Sequence, residues 1–260
     1  MPFLVRQLIC RNVEQQEESM NTDSYPRLFK LIRECAQTTD RLPPEDVLAQ
    51  QLGISRVKLR DMLATLQANG YISRKKGIGT LINKHMLAET ARLDMDTVYE
   101  EMISESGHIP SMLVQKIKLV SDIPQEIRDR LQLAPEDTAY LIEKTAFADD
   151  IPAIFTIDYI PAKYYDESDL DIRLIAQCTF FFVQRYCDEL LDNLIVHAEA
   201  IAAGHTIADR LQLPEGAPVL KLSSICYSQK LKPIMSSVEY YNTNMLPLSF
   251  LKRISRTKQQ

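Results

Sequence analysis

Leu42-Pro-Pro-Glu-Asp-Val-Leu-Ala-Gln-Gln-Leu-Gly-Ile-Ser-Arg-Val-Lys-Leu-Arg-Asp-Met-Leu63 is the stretch from which the N-terminal fold is read. Pro43 and Pro44 open a helix, because the first turn leaves its N–H groups unpaired and proline has none to lose. Val47, Leu48 and Leu52 give that helix its apolar positions, and Gly53 supplies the left-handed residue that ends it. Ser55 then stands as the N-cap of a further helix, its side-chain oxygen free to accept from the first turn. Leu59, Met62, Leu63 and Leu66 form the core stripe of this helix, which runs to about Asn69 and closes at Gly70. Arg56 and Arg60 are four residues apart and so share one flank at its N-terminal end. Upstream, Leu28, Leu31, Ile32 and Cys35 recur at helical spacing between Tyr25 and Gln37. Downstream, Tyr71-Ile-Ser-Arg-Lys75 and Thr80-Leu-Ile-Asn83 flank Lys76-Gly-Ile-Gly79, a β-hairpin with a glycine-bearing turn. Three helices and a basic hairpin make residues 23–85 a winged helix-turn-helix.

Charge is unevenly spread. The chain has 260 residues and a net charge of −5, yet residues 1–86 hold 13 basic against 9 acidic side chains. Residues 87–260 hold 17 against 26. Within 54–86 the basic residues Arg56, Lys58, Arg60, Arg74, Lys75, Lys76 and Lys84 face one acid, Asp61. A basic piece on an acidic body points to one domain that meets a polyanion.

Residues 1–22 are polar and acidic around Glu14-Gln-Gln-Glu-Glu18 and are read as a flexible tail, with 253–260 as a second. A connector over 86–94 leads to a larger domain over 95–252, opening with a helical stretch from Leu93 to Ser106. That domain contains an internal repeat: Ile127-Arg-Asp-Arg-Leu-Gln-Leu133 returns as Ile207-Ala-Asp-Arg-Leu-Gln-Leu213. A Pro-containing turn and two β-rich runs follow each copy. The first pair is Ala139–Phe147 and Ala153–Ile160; the second is Val219–Tyr227 and Ile234–Tyr241. Each unit therefore reads as a short helix followed by a hairpin, with a helix from Phe180 to Leu191 between them. Two such units share one antiparallel sheet, which makes the chain α+β.

The stretch from Leu42 to Leu63, with Gly70-Tyr-Ile72 and Gly77-Ile-Gly-Thr80, closely resembles the GntR family of bacterial regulators. The repeat-bearing region resembles the UTRA domain of that family's HutC branch, whose fold is similar to chorismate lyase. The resemblance implies a homodimeric, cytoplasmic transcription regulator, more often a repressor, that binds a double-stranded DNA operator and answers to a small-molecule effector. It implies that Ser55, Arg56, Lys58 and Arg60 meet phosphates and base edges in a major groove. Lys76 and Gly77 match the tip that enters the adjacent minor groove, with Arg74 and Lys75 adding phosphate contacts. Asp46 stands where some members carry a DNA-contacting arginine, and Lys58 replaces a common threonine, so the resemblance carries over the act of binding and not the operator sequence.

In the effector domain the resemblance carries Ser111, Lys144, Thr156, Phe181, Met235 and Tyr241 to the binding site. Lys144 and Ala146 occupy positions where sugar-phosphate-responsive members hold two arginines. Thr156 and Met235 occupy positions of two carboxylates. One cation in place of a bidentate pair, in an otherwise apolar set, implies a ligand with an apolar body and at most one anionic group. Two other functions remain open here: a lyase-like enzyme fused to a DNA-binding module, and a constitutive DNA-binding dimer without effector.

Other chemistry has little support in the residues. His85, His108, His197 and His205 form no metal spacing, and no cofactor is expected. The five cysteines (Cys10, Cys35, Cys178, Cys187, Cys226) are odd in number and never form a C-x-x-C pair, as in reduced cytoplasmic proteins. No apolar run is long enough to span a bilayer. No set of acid, base and nucleophile is discernible, so catalysis is not expected.

Overall fold

The computed structural model describes residues 24–95, 97–165, 179–187 and 191–252. The expectations for the two tails and for Cys178 lie outside them. The chain divides into two compact units, Met1–Glu89 with Leu251–Gln260 and Thr90–Phe250.

The first unit runs α1 (Ser24–Thr38), α2 (Glu45–Leu52), α3 (Arg56–Ala68), β1 (Ile72–Lys75), β2 (Gly79–Ile82) and α4 (Lys84–Ala88). Leu28, Ile32, Leu48, Leu59, Leu63 and Leu66 are fully buried and come from all three long helices. Removing one such leucine side chain costs about 2–5 kcal/mol. Val47, expected on the core face of α2, is exposed, and Ala49 fills that face beside Leu48 and Leu52. Gly53 ends α2 at φ 67°, and the next N–H, of Ile54, returns to the Ala49 carbonyl. The hairpin β1–β2 gains a third strand-like segment: Leu42 N–H donates to Thr80 O and Ile82 N–H to Asp40 O. Phe29 of α1 meets Tyr71 edge-on at 4.9 Å and fastens the hairpin base to the helices. Residues 84–88, read as the end of the domain and the start of a connector, form a helical turn capped by the Asn83 side chain.

The second unit adds β3 (Ala91–Arg92), α5 (Tyr99–Glu105), β4 (Pro110–Val120), α6 (Gln125–Leu131), β5 (Ala139–Ala148), β6 (Ile151–Pro161), α7 (Thr179–Tyr186), β7 (Leu191–Ala202), α8 (His205–Leu211), β8 (Pro218–Ser228), β9 (Pro233–Tyr241) and β10 (Leu248–Ser249). Six strands form an antiparallel sheet in the order β4-β5-β6-β9-β8-β7, and β3 pairs in parallel with β10 beside it. Each repeat is thus strand, helix, hairpin, one strand more than the sequence indicated. The added strands β4 and β7 are the two edges of the sheet. Likewise the helix expected over Leu93–Ser106 is confined to α5, and Leu191 begins β7 instead of closing α7.

The repeat is geometric as well as sequential. Gln132 and Gln212 end α6 and α8 in the same left-handed conformation, each at φ 52°. The return strands β6 and β9 pair antiparallel at the sheet centre, with Thr156 opposite Glu239 and Asp158 opposite Ser237. A pseudo-twofold axis therefore passes between these two pairs. Helix α6 packs on β9 and α8 on β6, so each repeat's helix covers the other's return strand.

Two layers of helix sandwich the sheet. On one face α6 and α8 bury Ile127, Leu131, Ala208 and Leu211 against Ala139, Phe155 and Val219. On the other, α5 packs Met102 and Ile103 over Ala146, Ile154, Leu222 and Tyr241, while α7 packs Phe182 and Val183 over Tyr140, Ile142, Cys226 and Met235. The Asp149-Asp150 turn of the β5–β6 hairpin has both residues at positive φ. The Asp149 carboxylate accepts from Ile109 N–H at 2.7 Å and lies 2.6 Å from His108 Nδ1, which fixes that turn to the start of β4 and holds the Asp149 pKa below the usual carboxylate value.

Candidate functional site

Two sets of side chains stand out. The first lies at the N-terminal end of α3 and along the hairpin. Ser55 caps α3, its Oγ accepting from Lys58 N–H at 3.1 Å, which sets the direction of the helix end. Arg56 and Lys58 are exposed on either side of Val57, itself 70% exposed. Val57 was not singled out in the sequence, yet an apolar side chain on a charged helix end is the type that meets a thymine methyl. Arg60 and Arg74 are not free. Arg60 Nε donates to Glu45 Oε2 at 2.8 Å, and Arg74 lies 3.7 Å from Glu45 Oε1. One carboxylate at the start of α2 thus ties together the first turns of α3 and strand β1. Lys75, Lys76 and Gly77 are exposed at the hairpin tip, with Gly77 at φ 79°. That backbone suits glycine and leaves the tip slim.

The second set lies on the α5/α7 face of the large sheet. Two rows of side chains cross it: Lys144, Thr156, Glu239 and Leu222 in one, Ile142, Asp158, Ser237 and Ser224 in the next. Together they form a polar belt between the apolar cluster under α5 and the one under α7. Lys144 Nζ donates to Thr179 Oγ1 of α7 at 2.5 Å, and Thr179 donates in turn to Asp158 Oδ2 at 2.7 Å. Lys144 Nζ itself is 3.8 Å from Asp158 Oδ2, and Ser237 donates to Asp158 Oδ1 at 2.5 Å. Lys144, Thr156, Asp158, Thr179, Ser224 and Ser237 are all buried. In the neighbouring row Tyr241 Oη donates to Glu239 Oε2 at 2.5 Å, and the Tyr99 hydroxyl at the start of α5 also bonds Glu239. Burial pushes the Glu239 carboxyl up to about 6, and the Asp158 charge adds to the rise. Both phenols are driven well above their ordinary range by burial first and by Glu239 second, so they stay neutral donors.

The structure brings Lys144, Thr156 and Tyr241 into this belt. It does not bring Ser111 or Met235. Ser111 is exposed on β4 opposite Phe147, and Met235 is buried opposite Cys226 in the cluster under α7. Phe181 lies on α7, and its side chain is outside the described residues. The belt has carboxylates at Asp158 and Glu239, at equivalent places in the two repeats. Sequence reading missed Tyr99, Asp158, Ser237 and Glu239. Its available signal was the alternation Thr156-x-Asp158 and Ser237-x-Glu239, which puts polar groups two by two on one face of otherwise apolar strands.

A winged helix-turn-helix with an exposed basic edge, joined to a sheet domain holding a buried polar belt, defines a DNA-binding protein with a ligand domain. Comparison with known proteins agrees. The model for bacterial regulatory proteins of the gntR family matches residues 27–82, and that for the UTRA domain matches residues 105–246. The chain belongs to the GntR family, in its UTRA-bearing branch, and is a DNA-binding transcription regulator. It is 27% identical over 188 residues to the HTH-type transcriptional repressor NagR of Bacillus subtilis, covering 72% of this chain and 75% of that one. To the HTH-type transcriptional regulator GgaR of Escherichia coli it is 22% identical over 247 residues, covering 92% and 95%. The crystal structure of the possible transcriptional regulator YydK of Bacillus subtilis shares the fold at a TM-score of 0.68 and 16% identity, covering 90% of this chain and 100% of that one.

Proposed function

We propose that the chain acts in the cytoplasm as a homodimer that represses from a DNA operator, and that a small molecule held in the UTRA domain sets the operator affinity. Ser55, Arg56, Lys58 and Arg60 meet the major groove, and Arg74, Lys75, Lys76 and Gly77 meet phosphates and the adjacent minor groove. The exposed, Ser55-capped end of α3, with Arg56, Val57 and Lys58 projecting, is the observation that carries this reading. In the second domain Lys144, Thr156 and Tyr241 contribute to effector binding. With one lysine there, the ligand bears at most one anionic group. The effector works by binding one dimer geometry better than another, since only differential affinity shifts an equilibrium. Selection of bound duplexes from a random pool tests the DNA arm, followed by anisotropy titration. Arg56→Ala is expected to weaken the selected duplex by about 1–3 kcal/mol and leave the fold intact. A pool that yields no enriched sequence would sink the operator. The ligand arm is tested by adding fractionated small molecules from bacterial cells to the same titration; a fraction that shifts operator affinity is the expected result.

A further inference from the structure

The two carboxylates of the belt are served unequally. Asp158 has Lys144 at 3.8 Å, a relay from that lysine through Thr179, and the Ser237 hydroxyl. Glu239 has two phenols, which bring hydrogen bonds and no charge, and from Lys144 only a longer-range attraction across Thr156. Among the described residues no cation lies within ion-pair distance of it. The pseudo-twofold axis makes the imbalance explicit: Asp158 and Glu239 are equivalent in the two repeats, but Lys144 of β5 has Ser224 as its counterpart on β8. The cation is present on one side only.

Accessibility differs in the same direction. Thr156, Asp158, Ser237 and Tyr241 are at most 4% exposed, whereas Glu239 between them is only half-buried. It is the belt residue that keeps some surface toward solvent. Beside it in its own row Thr156 Oγ1, and in the next row Ser224 Oγ, are buried and have no hydrogen-bond partner. A buried hydroxyl left unpaired is unfavourable, so a partner offered by a ligand there adds to binding. Above and below the rows lie the aliphatic and aromatic side chains under α5 and α7. A phosphate or other multiply charged anion would face two carboxylates with one lysine already engaged.

We propose that the belt takes a ligand with a basic nitrogen on an apolar body, the nitrogen paired with Glu239 and a neighbouring polar group bonded to Thr156. This rests on the reading of the second unit as a ligand domain and names the chemical class that domain accepts. An anionic group elsewhere on the ligand is tolerated only at the Lys144 end.

Three molecules with one aromatic body test it on the full chain by calorimetric titration: tyramine, N-acetyltyramine and 4-hydroxyphenylacetate. They offer a cation, a neutral amide and an anion. Tyramine is expected to bind most tightly, and Glu239→Gln to weaken it about 30-fold or more while leaving N-acetyltyramine unchanged. Should that variant not fold, the unaltered protein gives a second reading: tyramine affinity rises as pH rises through about 6, where Glu239 ionises. Preference for the acid, with binding lost in Lys144→Ala, overturns the proposal, as does binding of none of the three. In either case a cell fraction that shifts operator affinity keeps the ligand-domain reading standing, and only the basic nitrogen is lost.

Discussion

At the scale of single residues, Glu239 ties stability to pH. Its carboxyl titrates near 6 in the folded chain, against 4.5 in the unfolded one, because burial and the Asp158 charge disfavour ionisation. The folded state therefore holds a proton that the unfolded state has released between those values. The resulting stabilisation is fully present below about 4.5 and is lost as pH rises through about 6. With the residue only half-buried, the loss is on the order of 1–2 kcal/mol. Glu239→Gln keeps an acceptor for one phenol and cannot ionise. Thermal unfolding at matched ionic strength should find it equal to the parent at pH 4.5 and more stable by about 1–2 kcal/mol at neutral pH. A constant difference across that range would mean that Glu239 keeps its ordinary acidity. The parent keeps a carboxylate at a cost to its own fold, as expected of a group that serves a ligand.

At the scale of elements, Glu45 links three of them. Through Arg60 and Arg74 it orients one guanidinium on α3 and one on β1, both on the basic edge proposed to meet DNA. Removing its charge has two opposed effects. A basic surface loses an acid, which favours any polyanion; two arginines lose the partner that aims them, which weakens the fit to one sequence. Glu45→Gln should therefore bind random duplex more tightly and show a smaller ratio of operator to random affinity, measured by anisotropy at one salt concentration. A ratio that holds or grows would mean that the arginines aim themselves. Ser55, Arg56, Lys58 and the hairpin were legible because helix periodicity, an N-cap and a glycine turn are local signals. Edge strands β4 and β7 were not. Along β7 the run His197-Ala-Glu-Ala-Ile-Ala202 is built largely of good helix formers, and its strand conformation comes from pairing with β8. The belt was half legible for a related reason. Lys144 and Thr156 were found by position, while Glu239 acquires its meaning only when β6 and β9 meet at the sheet centre, which needs the topology and not the strand alone.

At the scale of the whole molecule, one exposed helix end and one hairpin tip per chain bound what a single copy can read. A module of this size buries about 600–1,000 Å² on DNA, the low end for specific complexes. The acidic excess of residues 87–260 adds no attraction for phosphate. The pseudo-twofold axis within the sheet domain does not supply a second reading head, because among the described residues the winged helix occurs once. On the proposed homodimer reading two chains share the operator, and a twofold pair of α3 helices places its half-sites about 34–36 Å apart or a multiple of that. Light scattering should give a mass of twice 29.8 kDa for the free protein. The selected duplex should be an inverted repeat bound by two chains. Scrambling one half-site should cost far more than a factor of two, since the second chain then contributes only its non-specific contacts. A complex of one chain with one half-site, as tight as that with the full operator, would show that the monomer reads DNA by itself and would remove the dimer from the mechanism.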